Sequence, residues 1–239
     1  MDISFSYRSI YPSLPDVKTQ LGQLWQAAVI LDGIGIPLTD WYPTAENPDD
    51  ALRNCAFDSN GPSPAAVAIA KENDRHNDDK DMRSMAVWNG KRRAGSAGIS
   101  NILFPADSPA SCTFEISSTG VAPLLDKANV IQVATKLLDL YHPPFISVSE
   151  PRYDAIHKVF KDRPGVGWML YLPRKITTSD VPEAQEMIAV TDKNGEQRGT
   201  FVVSIKDEPF SVKNEEQIKI ATAIEIRLVD KDMLPRYGE

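Results

Sequence analysis

The sequence predicts an α+β fold: a single domain with a mainly antiparallel sheet and packed helices. Three observations lead there. Two Asn-Gly pairs, Asn89-Gly90 and Asn194-Gly195, each lie between apolar runs with strand periodicity. Such pairs tolerate the positive φ of hairpin turns, so both imply antiparallel neighbours. Helical and strand-like segments follow one another without the regular alternation that a doubly wound parallel sheet needs. Stretches such as residues 129–141 carry Val130, Val133, Ala134, Leu137, Leu138 and Tyr141 at helical spacing, a wide face for burial.

Taken in order, residues 3–10 alternate as a first strand. Ser13, with an acid three residues on, has the form of a helix start. Val17, Leu21, Leu24, Ala28 and Leu31 then form one stripe, ended at Asp32-Gly33. Residues 38–42 make a short strand carrying Trp41. Asn47 caps a helix with Pro48 at its first position and Asp49 and Asp50 at the positive dipole end, reading on to Phe57. Ser63 and Pro64 open an Ala-rich helix to about Asn73, and a polar loop follows to Asp81.

Residues 81–104 form the central hairpin. Met85 and Val87 alternate with Ser84, Ala86 and Trp88; Lys91, Arg92 and Arg93 stand at the tip; residues 99–104 return. Residues 112–117 are another strand. The helix at 129–141 stops at His142-Pro143-Pro144. A strand at 145–148, a short helix at 151–160 and a buried strand at 167–172 come next. A second hairpin joins 187–191 to 199–205. Asn214 and Gln217 make a capping box for a last helix with Ile220, Ala223, Ile224 and Leu228 on its buried stripe. One domain over residues 1–239 is expected, and any seam falls near Pro143-Pro144.

Of the 239 residues, 42% are apolar and 25% charged, ordinary for a soluble globular protein. No apolar run approaches the ~18 residues of a membrane helix, so no membrane partner is expected. The N-terminus lacks a basic region followed by an apolar one, so a cytoplasmic location is expected. Cys55 and Cys112 are the only cysteines; they form neither a disulfide framework nor a CxxC pair, and buried free thiols are the expectation. A formal charge of −7 argues against nucleic acid as the main partner. That charge is uneven. Between Asp32 and Asp81 eleven acids face four bases, a local −7 equal to the net charge of the whole chain. Such a run is commonly a solvated face; it is also the means by which a protein steers a basic partner.

No catalytic constellation accompanies it. His76, His142 and His157 fall in no HExxH, HxH or Cys–His arrangement. The pairs Gly33-Ile34-Gly35 and Gly165-Val166-Gly167 do not continue as a dinucleotide fingerprint. The acids at 74–81 lack the glycine and terminal glutamate of a calcium loop. No catalytic residue, cofactor or metal site is therefore expected. Trp25 and Trp168 read as core. Trp41 and Trp88 flank the acidic segment and the tip; in the core they pack, and exposed they are interface anchors.

Three stretches together resemble the immunity protein 52 family of bacterial polymorphic toxin systems: residues 41–52 (WYPTAENPDDAL), 87–90 (VWNG), and 199–203 (GTFVV) with the closing Glu225-Ile226-Arg227-Leu228 and Leu234-Pro235. They frame about residues 35–236. The resemblance implies an α+β protein without catalytic activity, encoded beside a secreted toxin and protecting the cell that makes it. The implied partner is a nuclease toxin with a restriction-endonuclease-like domain, often delivered by type VI secretion. An acidic face is the natural complement of such a nuclease's basic groove. The expected contact residues are Glu46, Asp49, Asp50, Asp74, Asp78, Asp79 and Asp81, with Trp41 and Trp88 as anchors. Two other readings stay open: a non-catalytic adaptor or structural protein of a secretion system, and an enzyme whose site is dispersed in sequence.

Overall fold

The structure, a computed structural model, describes residues 1–45 and 47–238. The elements run β1 (Asp2–Tyr7), α1 (Val17–Asp32), a 3-10 turn (Leu38–Asp40), β2 (Tyr42–Pro43), α2 (Pro48–Ala51), β3 (Phe57–Asp58), β4 (Gly61–Pro62) and α3 (Pro64–Arg75). The hairpin β5 (Arg83–Trp88) and β6 (Ser96–Leu103), β7 (Cys112–Thr119), a 3-10 turn (Ala122–Leu125) and α4 (Lys127–Tyr141) follow. The chain closes with β8 (Ile146–Ser149), a π turn (Tyr153–His157), β9 (Met169–Leu172), β10 (Glu186–Thr191), β11 (Gln197–Val203) and α5 (Glu215–Asp230). The fold class is α+β, and the strand pairs are antiparallel. The chain divides into two compact units, Tyr7–Leu140 and Met1–Ser6 with Tyr141–Glu239.

In the Tyr7–Leu140 unit the strand order is β7-β6-β5-β2. The central hairpin is in register from Arg83↔Leu103 to Trp88↔Gly98. The return strand starts at Ser96, earlier than expected, because Gly98 and the small residues around it continue the ladder. All five stripe residues of α1, from Val17 to Leu31, are buried. Its N-cap is Asp16 rather than Ser13: the Asp16 carboxylate accepts from the Thr19 N–H at 2.9 Å and from the Thr19 hydroxyl at 2.9 Å. These bonds hold the Asp16 carboxyl below its ordinary pKa.

Two further expectations in this unit fail for traceable reasons. Residues 38–42 are mostly a 3-10 turn, since the Asp32 carboxylate takes the Leu38 N–H at 3.0 Å and Asp40 N bonds back to Pro37 O at 3.1 Å. The helix that begins at Pro48 stops at Ala51 instead of reaching Phe57. Ala56 is drawn off to donate to Trp41 O at 2.7 Å and to accept from Ser63 N at 2.8 Å, which starts the β3–β4 hairpin. A long-range backbone demand overrides local helix propensity there.

In the other unit the order is β10-β11-β9-β8-β1. Both β8 and β9 are buried along their whole length, as central strands with two covered faces are. The expected helix over 151–160 is found over residues 151–157, mostly as a π turn (Tyr153–His157). Asn214 caps α5 by accepting from the Glu216 and Gln217 N–H groups, yet the capping box does not close. The Gln217 carbonyl accepts from Ser211 N at 2.7 Å instead. Trp168 is core, its indole N–H bonded to Ile205 O at 2.9 Å. Trp25 is only half-buried and donates to Asp58 O at 2.9 Å. Cys112 is buried as expected; Cys55 is exposed, a correction that follows from the early end of α2, and both are free thiols. Among the described residues no helix is long and apolar enough to cross a membrane.

Candidate functional site

Two of the three family-like stretches meet in the Tyr7–Leu140 unit. Tyr42 pairs with Trp88 and Pro43 with Val87. Gly90, at φ 69°, packs so tightly that an added Cβ would lie 2.9 Å from Leu52 Cδ2 and 3.0 Å from the Tyr42 ring. Asn89 organises the tip. Its N–H donates to Ala97 O at 2.9 Å, its side-chain oxygen accepts from Ala97 N at 2.9 Å, and its amide donates to Gly95 O at 2.8 Å. The turn is thus a longer loop from Asn89 to Gly95 rather than a two-residue Asn-Gly turn. The loop displays Lys91, Arg92 and Arg93 to solvent. Arg92 reaches Asp49 at 2.8 Å, and Asp50 pairs with Arg53 at 2.7 Å. Both pairs are exposed and contribute little to stability. Their consequence is electrostatic: cations already attend Asp49 and Asp50.

The second acidic group sits where α3 ends. Asn77 shapes the turn, accepting from Asp79 N at 3.2 Å and donating to Met82 O at 2.8 Å, while the Asp79 carboxylate accepts from Asp81 N at 2.9 Å. Asp78, Asp79 and Asp81 are exposed, and none has an ion-pair partner among the described residues. Lys80, itself exposed, folds back to bond Asn77 O. Asp74 is half-buried, 3.4 Å from Arg83 Nη1.

Arg83 is the interior cation behind this turn, 7% exposed. Its Nε donates to Gln20 Oε1 at 2.7 Å and its Nη2 to Pro15 O. Gln20, itself buried, donates to Arg83 O at 3.0 Å and to Asn101 Oδ1 at 2.9 Å. This satisfied network fastens α1, β5, β6 and the end of α3 together. Beside it, between α3 and the outer edge of β5, runs a groove of about 330 Å³. Leu21, Ala66, Ile69, Ala70, Met85 and Val87 supply its apolar lining, and Asp74, His76 and Asn77 stand at its mouth.

Of the residues expected to make contact, Asp78, Asp79 and Asp81 come together on one turn just past Asp74 in the last turn of α3, and Asp49 and Asp50 lie on α2, Asp49 against the hairpin tip. Glu46 falls outside the described residues. Trp88 is half-buried beside the tip. Trp41 is a correction: at 0% exposure it offers a partner no surface, and its indole N–H is buried without a hydrogen-bond partner. It belongs to the core under β2, where its carbonyl holds Ala56. The groove is not anticipated by the sequence pattern. The one signal for it is Pro43, which limits β2 and so leaves part of β5 uncovered.

The third family-like stretch builds the other unit. Gly199 lies under Tyr171, where an added Cβ would sit 2.4 Å from the ring. Thr200 donates to Arg174 O at 2.9 Å and accepts from Ile176 N at 3.1 Å. Glu225 is 0% exposed and accepts from the Tyr153 hydroxyl at 2.7 Å, Val166 N at 3.0 Å and Val159 N at 2.8 Å. Burial pushes the Glu225 carboxyl pKa up, and its bonds to Tyr153, Val159 and Val166 oppose that shift. Burial likewise raises Asp154 and Tyr153. Every Glu225 oxygen is used internally, tying the segment after the π turn to α5. Arg227, two residues on, pairs with Glu183 at 2.8 Å, which lowers the Glu183 pKa.

Compared with known proteins, the family model described as Immunity protein 52 matches residues 24–236 and so runs through both units. No curated protein sequence matches the chain. Among solved structures it is similar to a Pseudomonas aeruginosa T6SS protein, PA0821, with a TM-score of 0.53 and 11% identity, over 95% of this chain and 72% of that one. At that identity the likeness is one of fold.

Proposed function

The chain belongs to the immunity protein 52 family, and from that premise we propose that it binds a cognate secreted toxin and silences it by occupancy, performing no reaction of its own. The family match over residues 24–236 carries the proposal. The surface supplies the chemistry. Asp78, Asp79 and Asp81 form an exposed acidic turn without ion-pair partners among the described residues, suited to a partner with a basic face. The toxin is a nuclease with a restriction-endonuclease-like domain, whose DNA-binding groove carries the complementary charge. Asp78, Asp79 and Asp81 make the main charged contact, Asp49, Asp50 and Asp74 a secondary one weakened by Arg92, Arg53 and Arg83, and Trp88 the aromatic anchor. The whole chain acts as one immunity domain in the cytoplasm of the producing cell.

Co-expression tests this. The gene beside this one is placed under an inducible promoter, with and without the present chain. The neighbour alone should arrest growth and degrade DNA, and this chain should restore growth and co-purify with it. A neighbour that is harmless, or one whose toxicity this chain leaves untouched, contradicts the proposal.

A further inference from the structure

β5 is the outermost long strand at its end of the sheet, and β2 covers only its last residues, at Val87 and Trp88. From Arg83 to Ala86 its outer edge faces no strand among the described residues. The backbone polarity there follows from the register. Asn89 N bonds Ala97 O, and the ladder is unbroken down to Arg83↔Leu103. In an antiparallel pair, bonded and non-bonded positions alternate. Val87, Met85 and Arg83 therefore direct their N–H and C=O groups toward β6. Ser84 and Ala86 direct theirs outward, along the edge that opens on the groove beside α3. The groove has an apolar lining, and the acids Asp78, Asp79 and Asp81 precede the strand at the same end.

An open edge next to an apolar trough matches a known mode of recognition: an extended peptide adds as a strand, and alternate side chains enter pockets. Proteins that leave such an edge open without a use for it risk pairing with other copies. Resting on the toxin-binding reading above, we propose that the β5 edge at Ser84–Ala86 and the groove beside α3 receive an extended segment of the toxin. The uncovered stretch spans about 13 Å at ~3.3 Å per residue, enough for about four residues of the incoming segment. Charge and shape specify its chemistry. Small or aliphatic side chains at alternate positions fill the trough between Ile69, Ala70 and Met85. A Lys or Arg at the end nearest Asp78, Asp79 and Asp81 meets their carboxylates. The segment supplies both affinity, through main-chain bonds, and choice of partner, through the trough and the acids.

The test uses the full chain and the toxin that co-purifies with it. Hydrogen exchange of the Ser84 and Ala86 amides is followed in the free chain and in the complex; fast exchange that slows about tenfold or more on binding is expected. Two variants accompany it. Ser84→Pro removes an outward donor without touching the β6 ladder, and Ala70→Trp fills the trough. Each should keep the circular dichroism of the native chain and weaken toxin binding by about tenfold or more. Should Ser84→Pro fail to fold, Ala70→Trp and the exchange data decide. Native binding with unchanged exchange at Ser84 and Ala86, and with Ala70→Trp binding as tightly as the native chain, overturns the inference and leaves the toxin-binding reading standing. No binding by the native chain removes that reading itself. A free chain that is dimeric and already protected at Ser84 and Ala86 assigns the edge to a second copy and also overturns the inference.

Discussion

Replacing Glu225 with Gln is the sharpest probe of how the family's closing motif works. The carboxylate is wholly buried and accepts three donors, two on one oxygen and one on the other. A glutamine keeps the shape. Turned so that its oxygen replaces Oε1, it retains Tyr153 and Val166, and its NH₂ then faces the Val159 N–H, donor against donor. The part-buried Val159 N–H and the buried glutamine NH₂ are then both without an acceptor, at a cost of roughly 1–3 kcal/mol. Alanine would orphan all three and leave a cavity, so roughly 3–5 kcal/mol is expected. The pH dependence separates this from generic damage. Burial raises the folded-state pKa of Glu225 above its unfolded value of 4.5. The folded state then holds the proton more tightly. The stabilisation from protonation is complete below the unfolded pKa and fades as pH rises through the raised folded one. The native chain therefore gains stability relative to Glu225→Gln as pH falls from neutrality toward 4.5. Asp154 is raised in the same sense and its charge adds to the upward shift of Glu225, so the difference between the two proteins reports the coupled pair, with the same sign. Urea denaturation across that range provides the measurement. A gap between the two proteins that is flat with pH, or that widens toward neutrality, refutes the assignment of a desolvated carboxyl here.

Three further outcomes follow from the geometry. Gly199→Ala forces a methyl into the Tyr171 ring, and thermal denaturation should show a loss of about 1–3 kcal/mol, since the ring is buried and its hydroxyl is bonded to Arg198 O, so any shift of the ring costs packing or that bond. Changing Asp78 and Asp81 together to Lys should leave the melting temperature nearly unaltered, because these side chains make no ion pair among the described residues and, unlike Asp79, hold no backbone N–H of the turn, and should slow toxin association about tenfold or more at low salt, a difference that shrinks as salt is added; stopped-flow binding reads both. Trp88→Ala should weaken binding, whereas Trp41→Phe should lower stability by roughly 1–3 kcal/mol with little change in affinity, as calorimetry of folding and of binding would separate.

Features set by local chemistry are legible in the residues themselves. The stripe of α1, the cap at Asn214, the strands around both Asn-Gly pairs and the end of α4 before His142-Pro143-Pro144 all emerge from residue spacing and backbone preference. The failures are places where distant groups take over. Asp32 and Pro37 convert residues 38–42 into a 3-10 turn. Trp41 O claims Ala56 and truncates α2. Asp16 competes successfully with Ser13 because it sits directly before the first turn, after Pro15. The acidic site is half legible. Composition locates the charge, and the turn made by Asn77 decides which acids stand free. Nothing in composition separates Asp49, already attended by Arg92, from Asp79, which is not. The two tryptophans show the same limit: both flank charged segments of the sequence, yet Trp41 is wholly buried and Trp88 is half-buried beside β2. The β5 edge is a property of what β2 fails to cover, and no periodicity in residues 83–88 announces it.

The central claim is that this chain works by covering its partner and not by turnover. The most direct measurement is a titration of the purified chain into its purified toxin at fixed DNA, reading residual cleavage against molar ratio. The account predicts a loss of cleavage that tracks complex formation and ends at a fixed stoichiometric ratio. Inhibition that grows with time at a small fraction of that ratio would mean the chain acts catalytically, and full cleavage with the complex formed would mean that it binds without protecting; either contradicts the account.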